Sequence, residues 1–288
     1  GGHRVQGIEP TLTGNLANER GIPTMIAFFG GDSAEKVQTE HGPARVVTAA
    51  NVFAHIENIH EIVENILLLL DDQGVFISES HYLMSLIETL QYDTIYHEHL
   101  CYFSIESITH LFLPLGLIPF HVVRSPISGG ALVVYISKRK HAKSVSLIEL
   151  IESERRSGVN DVDAWRQFSL RAESHRQSSI ECLASFQDKH LIGFGSSARS
   201  QTFLNYCRFN AQSLSCIMDN NPRKQGMYAP GSRIPIVSVK DGLKLKPDLI
   251  FILAWNFVTE IVAECKAHGY KGQFLTAFPH NPRLFSAL

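Results

Sequence analysis

The sequence predicts an α/β fold with two domains: a mostly parallel, Rossmann-like sheet in the N-terminal half and a smaller α/β domain in the C-terminal half. In both halves, short apolar or β-branched segments alternate with segments of helical periodicity. Strands that are connected through helices usually pair in parallel. With 288 residues, 44% of them hydrophobic, the chain is long enough to bury two cores of ordinary size.

The N-terminal series begins with four predicted strands that alternate with helices. The strands are at residues 4–8, 24–28, 45–50 and 74–80, and the helices are at residues 13–20, 33–40 and 58–70. Gly21 ends the first helix, and Ser33 is a suitable N-cap for the second. The third helix is predicted from apolar residues at helical spacing, which are Ile59, Ile62, Ile66 and Leu69.

A helix and an antiparallel pair of strands complete this series. Ser104 can cap a helix that runs to residue 113, and Gly116 ends it. Residues 120–124 and 131–137 are predicted strands joined by a loop with Gly129 and Gly130. A mostly parallel sheet that ends in a hairpin is therefore expected.

The second half begins after a helical connector. Residues 145–186 are polar and of helical pattern, with a break at Ser157-Gly158, so two connecting helices are predicted. The strands that follow are predicted at residues 190–194, 214–218, 249–253 and 273–276, and the helices at residues 201–209 and 258–268. The predicted domains are therefore residues 1–140, a connector at 141–187 and a C-terminal domain at 188–288.

Composition narrows the class of partner. The net charge of −2 and a pI near 6.7 give no broad basic surface for nucleic acid or an anionic membrane. No apolar run approaches the length of about 20 residues that a membrane helix needs. The five cysteines are scattered without a Cys-x-x-Cys pair, which is typical of reduced thiols in a cytoplasmic protein. We expect a soluble protein that binds a small molecule; the sequence specifies no oligomeric state.

The most informative segment is Tyr96-His97-Glu98-His99, which combines a phenol, a carboxylate and two imidazoles. In an extended segment, His97 and His99 would share one face while Tyr96 and Glu98 share the other. The segment is a candidate for acid–base chemistry. A zinc or iron site that adds His55 or His81 is an alternative, although the chain offers no second compact His or Cys cluster.

Three further polar residues follow predicted strands. Glu9 ends the first strand, and an acidic residue there commonly accepts hydrogen bonds from ribose hydroxyls. Asn51 and His55 follow the third strand, at the edge where open α/β sheets bind ligands. For His55, which has apolar neighbours, a core histidine is the alternative.

A glycine-containing turn opens the C-terminal domain at residues 193–199. Gly193 and Gly195 lie between a strand and a helix, where backbone N–H groups favour a phosphate. The third glycine of a dinucleotide fingerprint is replaced by Ala198, and Asp219 is the only candidate for the ribose-binding acid. A plain tight turn is an equally good interpretation, and Arg199 favours a phosphate.

Taken together, these motifs resemble the S-adenosylmethionine-dependent C-methyltransferases that act on nucleotide-linked 4-keto-deoxysugars, such as those that methylate C-3 of dTDP-linked sugars. The matching stretches are residues 5–10, 50–56, 92–100, 129–130, 205–207, 219–226, 230–231 and 254–256. They follow one another along nearly the whole chain. The sequence departs from the family at Ile127-Ser128, where Thr-His is more usual, and at Arg199, where Lys is common.

The resemblance implies a zinc-binding N-terminal domain, a class I methyltransferase domain and a C-terminal α/β domain that completes the nucleotide-sugar site. The chain would begin just before the family's second strand and so lack the zinc domain, the first strand and the glycine-rich cofactor loop. The absent strand would leave two neighbours without ladder partners and a buried row of unsatisfied backbone groups. We therefore expect an N-terminally truncated chain, with zinc only in the missing domain.

The resemblance also implies roles for individual residues. His99 would be the base that removes the proton next to the ketone, with Tyr96, Glu98 and His55 orienting the sugar or stabilising the enolate. The cofactor-binding candidates are Glu9 and Asn51. The substrate-binding candidates are His97, Gly195, Ser197, Arg199, Asn205, Trp255 and Asn256. The rival hypotheses are an inactive nucleotide-sugar-binding remnant and a nicotinamide-dependent sugar oxidoreductase that uses the turn at Gly193.

Overall fold

The structure is a computed structural model and describes residues 3–286. These residues form two compact units. The first contains the residues up to Tyr82 together with Leu100–Ser157, and the second contains Leu83–His99 together with the residues from Gly158 onward. The segment that carries Tyr96 and His99 therefore folds as part of the second unit.

Helices and strands alternate through most of the chain. In chain order the strands are β1 (Gly7–Ile8), β2 (Thr24–Met25), β3 (Ala44–Ala50), β4 (Leu70–His81), β5 (Ile118–Ser125), β6 (Ala131–Ser137), β7 (Leu191–Phe194), β8 (Ile217–Met218), β9 (Ile236–Val237), β10 (Leu249–Ile252), β11 (Gln273–Thr276) and β12 (Arg283–Ser286). The α-helices are α1 (Leu12–Glu19), α2 (Gly31–His41), α3 (Ile59–Leu69), α4 (Leu83–Glu88), α5 (Ile105–Phe112), α6 (Val145–Ser157), α7 (Val162–Ala184), α8 (Ala198–Tyr206), α9 (Val239–Lys244) and α10 (Val258–Ala267). Candidate site residues lie on or beside the 3₁₀ turns Phe53–His55, Tyr92–Thr94 and Trp255–Phe257.

The first unit contains a four-stranded sheet and a separate pair of strands. The sheet has the order β3-β4-β6-β5, in which β3 and β4 are parallel and β6 is antiparallel to both of its neighbours. The predicted hairpin is thus confirmed, but this four-stranded sheet is not mostly parallel as predicted, because only the β3–β4 pair is parallel. Strand β4 begins at Leu70 and not at residue 74 as predicted, because Leu70 already pairs with Ala44 of β3.

Strands β1 and β3 are among the strands of the first unit that have an open edge within residues 3–286. Strand β1 pairs with β2 alone, and β3 pairs with β4 alone. The expectation of a buried row of backbone groups is wrong for β3, whose residues are exposed or half-buried. Val46 on this strand is 55% exposed, so water can satisfy the backbone groups of the open edge.

An aromatic cluster fixes the turn that follows β3. Phe53, Phe76 and Phe112 are buried, and their ring centroids lie 5.5, 6.0 and 5.6 Å apart in the pairs 53–76, 53–112 and 76–112. Such contacts add to the stabilisation that comes from burial alone. They anchor the Phe53–His55 turn against β4 and α5, which places His55 just beyond the core.

A buried carboxylate accepts hydrogen bonds from the N-terminus of helix α5. Glu154 of α6 is 2% exposed; its two oxygens accept hydrogen bonds from the backbone N–H groups of Ile105 (2.7 Å) and Glu106 (3.3 Å). Burial raises the pKa of Glu154, and the hydrogen bonds from Ile105, Tyr82 and Glu106 oppose that shift. The predicted cap is confirmed as well, because the Ser104 hydroxyl accepts from the N–H of Ser107.

This raised pKa predicts a stability contribution that depends on pH. The folded state holds the Glu154 proton more tightly than the unfolded state, so the contribution is fully present below the ordinary glutamate pKa of about 4.3 and is lost as pH rises through the folded-state pKa. The free energy of unfolding of Glu154→Gln should therefore increase relative to that of the parent as pH rises through this window. Urea titrations at a series of pH values measure the difference. The exposed Glu152→Gln on the same helix is the control, and a difference that is independent of pH would contradict the assignment.

The second unit contains a six-stranded sheet of order β12-β11-β10-β7-β8-β9, parallel except for β12. The strands predicted in this half are confirmed, although β8 is shorter than expected. Helix α8 begins at Ala198, three residues before the prediction, because Ser197 caps it. Strands β9 and β12 and helix α9 were not predicted, since each is short and lies in a segment without clear periodicity.

The connector forms the two predicted helices, α6 and α7. Helix α6 groups with the first unit and α7 with the second, while the proposed boundaries at residues 140 and 187 stay predictions. Across residues 3–286, every helix is too short or too polar to span a bilayer.

Candidate functional site

Tyr96 and His99 are brought together by a tight turn. The backbone N–H of His99 donates to the carbonyl oxygen of Tyr96 at 3.0 Å, so the segment is not extended. The prediction that these two side chains lie on opposite faces is therefore wrong. The Tyr96 hydroxyl is 3.0 Å from Nε2 of His99, and the two ring centroids are 4.2 Å apart.

A second hydrogen bond fixes the tautomer of His99. Its Nδ1 is 2.7 Å from the carbonyl oxygen of Thr94, and because a carbonyl only accepts, Nδ1 carries the proton. In the neutral ring, Nε2 then keeps its lone pair and accepts from the Tyr96 hydroxyl. His99 is only 7% exposed, so the structure holds an oriented imidazole whose Nε2 lies against a phenol.

The other two side chains of the segment face solvent. The side chains of His97 and Glu98 are 90% and 58% exposed, with 4.0 Å between Nε2 and Oε1. Burial raises the pKa of Tyr96, the Glu98 carboxylate adds to this shift, and the Arg199 guanidinium opposes it. The phenol is therefore protonated at neutral pH and can donate a hydrogen bond.

Asp93 anchors the segment to the rest of the second unit. Its Oδ2 accepts from Nε of Arg199 and from Nε1 of Trp255, each at 2.9 Å, and its Oδ1 accepts from Nη2 of Arg199 at 2.9 Å. The Asp93 and Arg199 side chains are 2% and 12% exposed, and the guanidinium lies 4.8 Å from the centroid of the Trp255 ring. The cation that we predicted to bind a phosphate is thus already paired with a carboxylate.

Asp93 was not among the site residues predicted from the sequence. A signal was present, because Asp93 lies in the otherwise apolar or uncharged run of residues 90–96. A carboxylate that is buried in such a segment requires a cationic or hydrogen-bonding partner. The partner, Arg199, lies 106 residues further along the chain, where no local pattern points to it.

Tyr92 provides a second anchor. Its hydroxyl is 2.8 Å from Nδ1 of His175, and Nε2 of His175 is 2.7 Å from the carbonyl oxygen of Ala277. Nε2 must donate to that carbonyl, so Nδ1 accepts from the phenol. The Tyr92 ring packs edge-on against Tyr206 and Phe278 with centroids 5.1 Å away in each case. Asp93 and Tyr92 together explain why this segment belongs to the second unit.

Ser196 and Ser197, in the turn at residues 193–199, form hydrogen bonds within the protein. The N–H of Ser196 donates to Asp219 at 2.8 Å, and its carbonyl accepts from Lys224 at 2.7 Å. The Ser197 hydroxyl caps α8. A Cβ added to Gly195, which has φ of +94°, would lie 2.4 Å from the Cβ of Ala254. Close packing alone thus accounts for this glycine, which favours the tight-turn interpretation; phosphate binding stays a prediction.

The remaining substrate-binding candidates also lie in the second unit. Asn205 donates from Nδ2 to the carbonyl oxygens of Gln201 (2.8 Å) and Pro230 (3.1 Å) and so connects α8 to a neighbouring loop. Asn256 is half-buried in the Trp255–Phe257 turn. Their contact with a substrate stays a prediction.

Glu9, Asn51 and His55 lie in the first unit. Glu9 follows β1 and accepts a hydrogen bond from the N–H of Thr11 at 2.9 Å; hydrogen bonds from the Thr11 side chain and backbone lower the pKa of Glu9. His55 is exposed, which excludes the core-histidine interpretation. In the part of the chain that the structure describes, no three His, Cys, Asp or Glu side chains are grouped to hold a metal ion.

Asn51 has two unusual features. It adopts a left-handed backbone conformation with φ of +53° immediately after β3. Its Nδ2 is 3.4 Å from Oε1 of Glu79, whereas its Oδ1 is buried without a hydrogen-bond partner. Strained backbone and unpaired buried acceptors are concentrated at ligand sites. Asn51 thus presents an acceptor for a ligand N–H or O–H group at the carboxyl end of a strand.

Comparison with known proteins identifies two matching families. Residues 126–279 match the family model of the C-methyltransferase C-terminal domain, and residues 6–119 match that of a methyltransferase domain. The chain is 34% identical over 292 aligned residues to the C-methyltransferase NovU of Streptomyces niveus. The alignment covers 99% of this chain and 69% of that protein.

Among solved structures, a SAM-dependent methyltransferase from Anabaena variabilis is similar at a TM-score of 0.36 and 19% identity, covering 47% of this chain and 68% of that chain. A similarity at this level does not bear on function. The matches to the family models and to NovU cover both structural units and the turn that carries Tyr96 and His99.

Proposed function

Because the chain belongs to the C-methyltransferase family, we propose that it methylates the carbon next to the ketone of a nucleotide-diphosphate 4-keto-deoxysugar. It is an S-adenosylmethionine-dependent C-methyltransferase, and its methyltransferase domain has the Rossmann-like class I fold. The nucleotide sugar, the enolate mechanism and a role in deoxysugar biosynthesis are the proposal. A zinc-binding domain outside this chain stays a prediction from the resemblance.

The observation that carries the proposal is the Tyr96–His99 pair with its fixed tautomer. A carbon next to a ketone becomes nucleophilic when its proton is removed and the developing charge on the ketone oxygen is stabilised. His99 offers Nε2 as the base because Nδ1 is engaged by Thr94. Tyr96 offers a phenolic hydroxyl whose raised pKa keeps it protonated.

The proposed reaction moves one proton and one methyl group. The C–H bond next to the ketone breaks, the proton goes to Nε2 of His99, and the electron pair forms the enolate. The Tyr96 hydroxyl, which rests on Nε2 in the structure at 3.0 Å, turns to donate to the enolate oxygen. The electron pair at the α-carbon then forms the new bond to the methyl group, and the bond between that methyl group and the sulfonium sulfur of the cofactor would break with its electrons left on sulfur. The burial of His99 limits reprotonation of the enolate by water.

The residues present fit S-adenosylmethionine. The ribose of the cofactor carries hydroxyl donors that suit the Glu9 carboxylate. The amino groups and hydroxyls of the cofactor are donors that suit the unpaired Oδ1 of Asn51. When bound, the cofactor supplies an electrophilic methyl group on a sulfonium centre. Glu9 and Asn51 would bind and orient it.

The proton-transfer step can be tested without the cofactor. The chain is incubated in deuterium oxide with a dTDP-linked 4-keto-deoxysugar, and NMR follows loss of the signal from the proton next to the ketone. We expect exchange that is faster than in buffer and that disappears in His99→Gln but not in His60→Gln, an exposed histidine of α3. Exchange no faster than in buffer would contradict the proposed substrate class or the base.

A further inference from the structure

Arg199 contacts the middle residue of the 3₁₀ turn that precedes Tyr96 and the residue just before that turn. Its Nε and Nη2 bind the two oxygens of Asp93 at 2.9 Å, and Nη2 also donates to Oε1 of Gln91 at 3.1 Å. Trp255 adds its indole N–H to Asp93 at 2.9 Å and stacks under the guanidinium. These donors come from helix α8 and from the turn after β10, so two separate elements hold the Tyr92–Thr94 turn.

The residue after Asp93 is the one that orients His99. The backbone of Thr94 is fixed within the turn, since its N–H donates to the carbonyl of Gln91 at 3.1 Å. Its own carbonyl oxygen accepts from Nδ1 of His99 at 2.7 Å. The direction of this carbonyl therefore depends on Asp93 being held in place, and the tautomer of His99 depends on the carbonyl.

We propose that Arg199, supported by Trp255, is a positioning residue: through Asp93 it aims the Thr94 carbonyl at His99 and so fixes the tautomer and orientation of the imidazole. The bidentate geometry suits a guanidinium, whose planar donors match a carboxylate. This role differs from the phosphate contact that the sequence predicted for Arg199. The inference rests on the proposed function where it concerns catalysis, while its structural part concerns His99 alone.

The structural part can be measured on the chain without substrate. In a sample with ¹⁵N-labelled histidine, two-dimensional NMR distinguishes the Nδ1–H from the Nε2–H tautomer of each neutral imidazole. His99 is assigned as the signal that is lost in His99→Gln. We expect one tautomer, with the proton on Nδ1, in the parent chain and a shift toward a mixture in Arg199→Gln and in Trp255→Phe.

Two variants sharpen this experiment. Arg199→Lys keeps the charge but cannot bridge both oxygens of Asp93 and Gln91, so it should give an intermediate tautomer ratio. Trp255→Phe removes the indole donor but keeps a ring that can stack on Phe278, whose ring centroid lies 6.0 Å from that of Trp255. This variant provides the test if Arg199→Gln does not fold. The matched control is Arg166→Gln, which removes an exposed ion pair with Asp163 in the same unit.

The catalytic part predicts a division between kinetic constants. Misorienting a base typically slows the reaction step on the order of 10- to 100-fold, so kcat of Arg199→Gln should fall by this factor while KM for S-adenosylmethionine is unchanged. Arg199→Lys should recover part of the loss. If the parent transfers no methyl group to the nucleotide sugar, the proposed function is wrong, yet the NMR result still decides the positioning role.

The inference is overturned if His99 retains the pure Nδ1–H tautomer in folded Arg199→Gln and in Trp255→Phe. A loss of activity with an unchanged His99 spectrum would also overturn it, because Arg199 would then act by another route such as direct contact with a phosphate. A change in KM for the nucleotide sugar without a change in kcat would point to the same conclusion.

Discussion

Replacing His99 with Gln is expected to reduce kcat for methyl transfer by about 10²- to 10⁴-fold, the usual contribution of a positioned general base. Glutamine can replace Nε2 as an acceptor for the Tyr96 hydroxyl, so the turn should persist. It cannot take up a proton from carbon. The loss should therefore fall on the chemical step, while the affinity for S-adenosylmethionine is retained.

The measurement is transfer of a labelled methyl group from S-adenosylmethionine to the nucleotide sugar, with cofactor affinity determined in parallel by calorimetry. His60→Gln in helix α3 is the matched control, because its side chain is exposed and distant in sequence from the turn. A His99→Gln rate within a few-fold of the parent would remove His99 from the role of base. A loss of cofactor binding would instead assign His99 to the cofactor site.

The candidate residues Tyr96 and His99 stood out in the sequence, but their arrangement did not. The grouping of a phenol and imidazoles singled out Tyr96 and His99, whereas the assumption of an extended segment placed them on opposite faces. The hydrogen bond from His99 to Tyr96 closes a turn instead. That turn depends on Tyr92 and Asp93 being anchored by His175 and Arg199, which are contacts between residues far apart in sequence.

Local signals predicted the fold more successfully. The Ser104 cap, the hairpin of β5 and β6 and the strand–helix alternation in both halves follow from short-range preferences and are confirmed. Strands β9 and β12 were missed because two- and four-residue strands at the sheet edges carry little periodicity. The turn at Gly195 shows the same limit, because glycine is needed there for packing against Ala254, which lies in the segment that follows β10.

Removing the carboxylate of Asp93 is expected to lower the free energy of unfolding by about 3–5 kcal/mol, the usual effect of breaking a buried ion pair from one side. Asp93→Ala leaves the Arg199 guanidinium, now 12% exposed, without its carboxylate partner. It also removes the acceptor of the Trp255 indole N–H. Urea unfolding followed by Trp fluorescence and by circular dichroism gives the change in free energy.

The comparison that separates charge from packing is a double replacement. In Asp93→Asn with Arg199→Gln, neither side chain carries a charge, so the desolvation cost that each single variant bears is absent. The double variant should therefore be more stable than either Asp93→Asn or Arg199→Gln alone. Destabilisation equal to the sum of the two single variants would show that the ion pair is not coupled. The control is Asp163→Asn, which removes one charge of the exposed ion pair with Arg166 and should change the free energy of unfolding by less than about 1 kcal/mol. A much larger change for Asp93→Asn would then reflect the burial of Asp93.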